Sequence, residues 1–278
     1  MNLWKTELLY LLRSWRGWTI MAAFVLASSL SIIVGILIDR SHDFPYDQAI
    51  DFYVMFNFPV WLLIIGIIVS SLSFDANRNI SIFLRSRFSI QQILANKILV
   101  YLVISECLFI LGFAIIFVIA SILFESSDQI SFGWMMWGFF FHVVGSVFWV
   151  ALILFTSAVF KGAVASVLLT LGMIIGVPLI AGILVVIEML VRGVEMTQGV
   201  ENVSYVEKVM LWWPAATGDT AAFLSVTQSE IASDKISGTF GQNFELDPYF
   251  RLKPLITSLV VSPLLVVYAW HKYSRREI

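Results

Sequence analysis

Residues 75–97 read DANRNISIFLRSRFSIQQILANK, a polar and basic stretch between two long apolar segments. It holds one acidic residue, Asp75, whereas the other long polar loops of the chain carry more acidic than basic residues. Basic loops of membrane proteins stay on the cytoplasmic side, so this asymmetry predicts that residues 75–97 are cytosolic and fixes the orientation of the rest. The basic residues of the stretch are Arg78, Arg85, Arg87 and Lys97.

A short amphipathic helix is predicted in the first half of this stretch. Ile80, Phe83 and Leu84 fall at helical spacing, with Arg78 and Arg85 between them, and this pattern is typical of a helix with one apolar face. A connector that only fixes orientation would not need such order. The pattern therefore favours a docking helix for a cytosolic partner, with an orientation-setting loop as the alternative.

A second helix is predicted to begin at Ser89. Ser89 and Gln92 have the spacing of a capping box, and Phe88 and Ile93 flank them in the positions of a hydrophobic staple. The apolar sequence then continues to residue 124, which is longer than a bilayer requires at about 1.5 Å per residue. The first turns of this helix are therefore expected to project into the cytosol.

The composition indicates an all-α polytopic membrane protein. Of 278 residues, 59 % are hydrophobic and only 13 % charged, and the mean hydropathy is +0.90, whereas soluble domains are about half apolar and a quarter charged. The only cysteine, Cys107, lies in an apolar run, so neither a disulfide framework nor a cysteine-based metal site is expected. The predicted location is the cell membrane.

Six spans with both termini inside account for the distribution of charge. The spans are predicted at residues 19–38, 53–74, 89–124, 132–160, 163–190 and 254–270. The chain accordingly divides into four parts: an interfacial helix (1–18), spans one to five with the cytosolic loop 75–97 (19–191), an extracytoplasmic region (192–253), and span six with a basic tail (254–278). In this arrangement the inside segments hold eleven of 17 basic residues and three of 19 acidic ones, as the positive-inside rule requires.

The N-terminal segment has a helical repeat of tryptophan and leucine residues. The residues that repeat at steps of four and three are Trp4, Leu8, Leu11, Trp15 and Trp18. This repeat predicts a helix lying in the membrane interface; a cleaved signal peptide is the competing interpretation.

In the extracytoplasmic region, residues 209–226 are too apolar for a surface loop and too interrupted to span. We therefore expect a broken or re-entrant segment packed on the outer ends of the spans.

Motifs of known enzyme chemistry are missing from the sequence. There is no GxxxxGK[ST] phosphate loop, no HExxH and no GxSxG, so no catalytic residue is predicted and the chain is not expected to be an enzyme. His42, His142 and His271 fall in different predicted compartments, so no metal site is expected, and His142 is interpreted as a packed core residue. No cofactor and no nucleic acid is predicted to bind this chain.

A few residues within the predicted spans are candidates for function. Glu106, about two turns into the apolar part of the third span, and Glu188, near the outer end of the fifth, are candidate pathway residues because intramembrane carboxylates are costly; the alternatives are a hydrogen bond to a neighbouring helix and a place at the outer interface. Gly172 and Gly176 form a GxxxG motif followed by Pro178, which predicts close helix packing, within one chain or between two, and a kink.

This layout resembles the permease subunits of ABC-2 type transporters. Those proteins have an interfacial N-terminal helix, six spans with both termini inside, and a cytosolic coupling helix between spans two and three; residues 75–97 match that pattern. Arg85 to Ser89 stand where the family commonly has a Pro-rich or Ser-Arg turn, whereas Asp75, Asn77 and Asn79 replace its usual Glu-Gly pair. The external Trp212-Trp213-Pro214 stretch is similar to the family's outer segment before the last span.

The resemblance implies a dimeric permease, with a second copy or a paralogue, that sits among membrane lipids and is driven by cytosolic ABC ATPase subunits carrying ATP and Mg²⁺. The residues expected to couple to the ATPase are Asp75, Arg78, Ile80, Phe83, Leu84, Arg85 and Arg87. Two other functions stay open: a membrane anchor or sensor whose region 192–253 binds a partner, and a stand-alone secondary carrier. The few intramembrane ionisable groups and the lack of an inverted repeat speak against the carrier.

Overall fold

The computed structural model describes residues 3–38, 88–123, 132–160, 163–192, 205–210, 212–214, 235–237, 243–245 and 252–275. The predicted second span (53–74) and the predicted coupling helix lie outside these residues. In chain order the helices are α1 Leu3–Arg13, α2 Trp15–Ile38, α3 Ile90–Leu123, α4 Phe132–Val159, α5 Ala163–Leu171, α6 Val177–Arg192, α7 Tyr205–Met210 and α8 Leu252–Arg275. The strands β1 Lys235–Ser237 and β2 Asn243–Glu245 pair antiparallel.

The described part of the chain is almost entirely helical, and five of its helical stretches are long and apolar enough to cross a membrane. These stretches are Gly17–Val34, Gln91–Ile116, His142–Val159, Val164–Val191 and Leu252–Arg275. The predicted class, an all-α membrane protein, agrees with this architecture. Five of the six predicted spans have a helical counterpart among the described residues.

The N-terminal segment contains a break that its periodicity did not predict. The sequence pattern suggested one helix over residues 1–18, but α1 ends at Arg13 and α2 begins at Trp15. Ser14 caps the second helix, because the N–H of Gly17 donates to Ser14 Oγ at 3.3 Å and serine is a preferred N-cap residue. Trp15 and Trp18 therefore belong to the first turn of the spanning helix.

The predicted start of the third span is confirmed at atomic detail. Ser89 N–H donates to Gln92 Oε1 at 3.2 Å, and Gln92 N–H donates to Ser89 Oγ at 3.3 Å. These reciprocal bonds are the two halves of a capping box. From there α3 runs without interruption for 34 residues, which corresponds to about 51 Å.

The fifth span is helical throughout but not uniformly α-helical. Between α5 and α6, residues Gly172–Gly176 form a π-helical segment, and Pro178 is the second residue of α6. Proline has no N–H to donate to the carbonyl four residues earlier, and its ring crowds that carbonyl. The sequence predicted a kink at Pro178. What the structure shows there is a wider π turn just before the proline.

The chain divides into two compact units. The first contains α1, α2, α3, residues 149–159 of α4, the start of α5, and residues 263–275 of α8. Within it α1 contacts both α2 and α3, and α2 contacts α3. The rings of Phe155 and Tyr268 lie 5.2 Å apart, and buried apolar side chains of α2 and α3, including Phe24, Phe109 and Ile116, form part of its core.

The second unit contains residues 132–148 of α4, the π segment, α6, α7, both strands, and residues 252–262 of α8. Helix α6 contacts α7, and Val144 and Leu255 form a buried apolar pair. Over the length of α4, 72 % of the stretch His142–Val159 is buried, against 22 % of Val164–Val191. The stretch in α4 is therefore the most buried of the described spans, and the fifth span is the least buried.

Candidate functional site

The residues predicted to couple to an ATPase lie outside the described part of the chain. Asp75, Arg78, Ile80, Phe83, Leu84, Arg85 and Arg87 all fall between residues 39 and 87, which the structure does not describe. The structure does describe the point at which this stretch meets the membrane-spanning helix α3. Residue 88 leads into Ser89, whose capping box begins α3 directly.

Glu188 has a specific structural contact near the end of α6. Its Oε1 accepts a hydrogen bond from the N–H of Tyr205 at 3.0 Å, and its Oε2 accepts one from the N–H of Val206 at 3.3 Å. These N–H groups belong to the first turn of α7, where a helix has no carbonyl partners of its own. The carboxylate thus caps α7, and its negative charge suits the positive end of that helix.

The segment that follows α7 is attached to two other helices. Ser258 of α8, which is fully buried, donates its hydroxyl to the carbonyl of Pro214 at 3.0 Å. The ring of Trp213 meets Phe148 of α4 edge to face, with centroids 6.4 Å apart and an interplanar angle of 77°. Such geometry is favourable for aromatic pairs. We call residues 205–210 and 212–214 the outer strap.

Two lysines lie over aromatic rings of the outer strap. Lys208 Nζ is 5.6 Å from the ring centroid of Tyr205, and Lys253 Nζ, from α8, is 6.0 Å from that of Trp212. Both distances fall within the range of cation–π attraction. The Tyr205 and Trp212 rings are exposed, whereas Trp213 is half-buried. The strap therefore presents aromatic and cationic groups outward and its attachments inward.

The strap overlaps the stretch for which the sequence predicted a broken or re-entrant segment. Of residues 209–226, the structure describes 209, 210 and 212–214, and these end in the contacts of Trp213 and Pro214 with α4 and α8. Residues 215–226 lie outside the described part. Packing on the spans is thus seen where the strap is described, and re-entry into the membrane stays a prediction.

Glu106 lies in α3 and is half-buried, with its Oε1 atom removed from the surface. Its neighbour Ser105 is buried and donates its hydroxyl to the carbonyl of Leu102 at 2.9 Å. Cys107, on the other side, is exposed. Helix α3 therefore turns Ser105 inward and Cys107 outward, and Glu106 remains the candidate pathway carboxylate of the third span.

The buried polar side chains of the spans are mainly hydroxyls. Across the α4–α5 hairpin, Ser166 donates to the carbonyl of Thr156 at 3.2 Å, and both residues are fully buried. Hydroxyls of this kind join helices in membranes and bring no charge with them. The others that are buried among the described residues are Ser28, Ser146, Ser157, Thr170, Ser258 and Ser262, together with Ser105.

The GxxxG glycines have open space beside them. A Cβ atom built on Gly172, Gly176 or Gly182 meets no described atom within 4 Å. Close helix packing at these glycines within one chain is therefore not found among the described residues. Contact within one chain, with residues outside the described part, and contact between two chains both stay predictions.

Of the three histidines, the structure describes His142 in α4 and His271 in α8. His142 is buried in α4, as the sequence predicted for a packed core residue. In the part of the chain that the structure describes, no group of three or more His, Cys, Asp or Glu side chains could hold a metal ion. The candidate site with defined geometry is thus the outer strap and its attachments. The sequence singled out Glu188 and the Trp212-Trp213-Pro214 stretch, but not Phe148 or Ser258.

Comparison with protein-family models and with curated proteins gives no match for this chain.

Proposed function

We propose that this chain is the transmembrane permease subunit of an ATP-driven ABC-2 type transporter in the cell membrane, and that this transporter acts as an exporter. The chain has six spans with both termini inside, and it forms the substrate pathway as a dimer with a second permease chain. The chain has no phosphate loop of its own, so separate cytosolic ATPase subunits bind ATP and Mg²⁺ and supply the energy. The chain itself is not an enzyme and binds no cofactor.

The continuity of α3 is the observation that carries this proposal. The helix begins at a capping box beside the basic loop and runs for 34 residues, about 51 Å, while the hydrocarbon core is about 30 Å thick. A force applied at residues 75–87 would therefore act on the end of an uninterrupted helix that enters the membrane. This is the connection that a coupling helix needs.

The proposed topology rests on charge and on the described helices together. Five helical stretches are long and apolar enough to span, and the apolar residues 53–74 supply the sixth. The basic residues then collect at the ends assigned to the cytosol. Glu188, one of the two candidate pathway carboxylates, is engaged by backbone N–H groups, which further weakens the case for an ion-coupled carrier.

Purification of the tagged chain in mild detergent from its native membrane tests the proposal. We expect a stoichiometric soluble protein with a phosphate-binding loop to co-purify, and Phe83→Asp to release it by placing a charge on the apolar face of the coupling helix. Ser81→Asp is the matched control, because it adds the same charge on the polar face. Retention of the ATPase and of transport in the Phe83→Asp variant would overturn the coupling assignment.

The second candidate function is a membrane anchor or sensor whose region 192–253 binds an extracytoplasmic partner. It is favoured by the strand pair β1–β2 and by the attachment of the outer strap to α6 and α8, because these described parts of the region are folded and can offer a surface to a partner. In the same purification, recovery of the chain with only extracytoplasmic partners would select this function and exclude the permease.

A further inference from the structure

Four residues of the outer strap share one helix face and are exposed. They recur at the spacing of three and four residues that places side chains on the same side of a helix: Tyr205, Lys208, Val209 and Trp212. The N–H of Trp212 donates to the carbonyl of Val209 at 3.0 Å, so the turn of α7 continues to this residue. The exposed fraction is 66 % for Tyr205 and 69 % for Val209. We call these four residues the outer face of the strap.

The outer strap lies level with the ends of two spans. Glu188, which caps α7, is three residues before Val191, where the apolar stretch of the fifth span ends. The start of the strap is therefore about one helical turn inside that end. Ser258, which holds Pro214, is six residues into α8, or about 9 Å. In the proposed topology these positions place the strap where the hydrocarbon core meets the headgroups of the outer leaflet.

The helices that hold the strap carry exposed apolar side chains near the same ends. Leu190 and Val191 at the end of α6 are 74 % and 82 % exposed, and Ile256 near the start of α8 is 50 % exposed. Apolar surface of this extent is unfavourable in water and is covered by lipid in a membrane. The apolar members of the outer face of the strap therefore continue a surface that the bilayer covers.

Two lysines bring positive charge to this surface. Lys208 Nζ lies over the ring of Tyr205, and Lys253 Nζ lies over that of Trp212. Lysines are more frequent on the cytoplasmic side of membrane proteins, so this pair on the outer side calls for a local reason. Tyrosine and tryptophan are enriched at the headgroup level, and a lysine beside them can keep its stem in the apolar layer while its ammonium reaches the headgroups.

We propose that the outer face of the strap is a docking surface for anionic lipid headgroups of the outer leaflet. The ammonium groups of Lys208 and Lys253 bind headgroup phosphates, and the apolar members of the face lie at the boundary with the acyl chains. The inference goes beyond the proposed function, because it requires only that the strap lies in the outer leaflet. It holds equally for a permease and for a membrane anchor.

Photo-crosslinking of the full chain in lipid vesicles tests this surface locally. The chain carries a benzophenone side chain in place of Val209, and the vesicles contain equal parts of phosphatidylglycerol and phosphatidylcholine. Mass spectrometry of the strap peptide counts the adducts of each lipid. We expect phosphatidylglycerol adducts to outnumber phosphatidylcholine adducts at least about fivefold, because one lysine near an anionic membrane surface contributes about that factor.

Removal of the two charges should abolish this preference. In the double variant Lys208→Gln, Lys253→Gln we expect an adduct ratio close to one, whereas Lys208→Arg with Lys253→Arg keeps both charges and should keep the preference. Lys235→Gln is the matched control, because it removes the same charge from β1 of the same extracytoplasmic region. We expect it to leave the ratio unchanged.

A second crosslinking position checks that the variants are folded and inserted. Val260, in α8, is 57 % exposed and lies two residues further along the helix than Ser258. A benzophenone at this position should give lipid adducts without headgroup preference in the wild type and in the double glutamine variant alike.

Three results at position 209 would refute the lipid surface, provided that position 260 reacts with lipid. They are the absence of lipid adducts, adducts with a second copy of the chain in place of lipid, and a ratio that is the same with and without the two lysines. None of these results depends on an ATPase, so the proposed function is tested separately by its own purification.

Discussion

Ser89 shows what one side chain decides at the junction between the cytosolic loop and the membrane. Its hydroxyl accepts from Gln92 N–H, while Gln92 returns a bond to Ser89 N–H. Two N–H groups that would otherwise have no helical partner are satisfied by this exchange. The start of α3 is thereby fixed within one residue.

Ser89→Ala should loosen the first turn of α3. Loss of an N-cap serine costs about 1 kcal/mol, so exchange of the amides of residues 91–93 is expected to rise about fivefold. Hydrogen exchange read out by mass spectrometry checks this. Ser89→Thr, which keeps the cap, should stay near the wild-type rate, and unchanged exchange in Ser89→Ala would mean that packing alone sets the start of the helix.

The contrast between Ser89 and Glu188 explains what the sequence can predict about single residues. The capping box joins residues three positions apart, so its pattern is visible in the sequence. Glu188 could be recognised as an unusual carboxylate, but its partners are 17 and 18 positions away. Ser258 gave no signal at all, because a serine in an apolar helix is common and its role depends on Pro214.

At the scale of elements, the five spans that the structure describes were predicted closely because their signals are local. The fourth span was expected at 132–160 and is Phe132–Val159; the sixth was expected at 254–270 and is Leu252–Arg275. Ser14 was missed because the Trp and Leu repeat continues across it. The π segment was missed because hydropathy does not distinguish a π turn from an α turn.

Substitution of the GxxxG glycines tests whether they pair two chains. Because the space beside them is open, Gly172→Leu and Gly176→Leu should leave the thermal unfolding of one chain nearly unchanged. They should weaken pairing of two copies roughly tenfold, as overpacking of a close interface would. Light scattering in detergent gives the paired fraction at each concentration.

Gly182→Leu is the control for this experiment, since Gly182 also has open space but lies outside the GxxxG motif. We expect it to leave pairing unchanged. An identical paired fraction for all three variants and the wild type would exclude this face as the dimer contact.

At the scale of the whole molecule, the distribution of charged residues predicts the orientation of the chain in the membrane. Lys161 is expected inside and Glu195 outside. In a Cys107→Ser background, Glu195→Cys should react with a membrane-impermeant maleimide on intact cells, whereas Lys161→Cys should react only after permeabilisation. Labelling of both, or of Lys161→Cys alone, would contradict the proposed topology.

For the described residues, the class and the positions of five spans were predictable from the sequence, and the tertiary contacts were not. The length of an apolar segment and the charge of a loop are sums over neighbouring residues, so both can be read from the sequence. The attachments of the outer strap depend instead on which helices lie side by side. Residues such as Phe148 and Trp213 come together through that arrangement, which no local pattern encodes.

The π-helical segment also fixes the direction in which Glu188 points. Each residue advances an α-helix by about 100° of rotation, and a π turn holds about one residue more than an α turn. Every side chain beyond Gly176 is therefore rotated by about that angle relative to an unbroken helix. Deleting one residue from Gly172–Gly176 would rotate Glu188 away from Tyr205 and barely shorten the span, so the number of residues in this span matters as much as their identity.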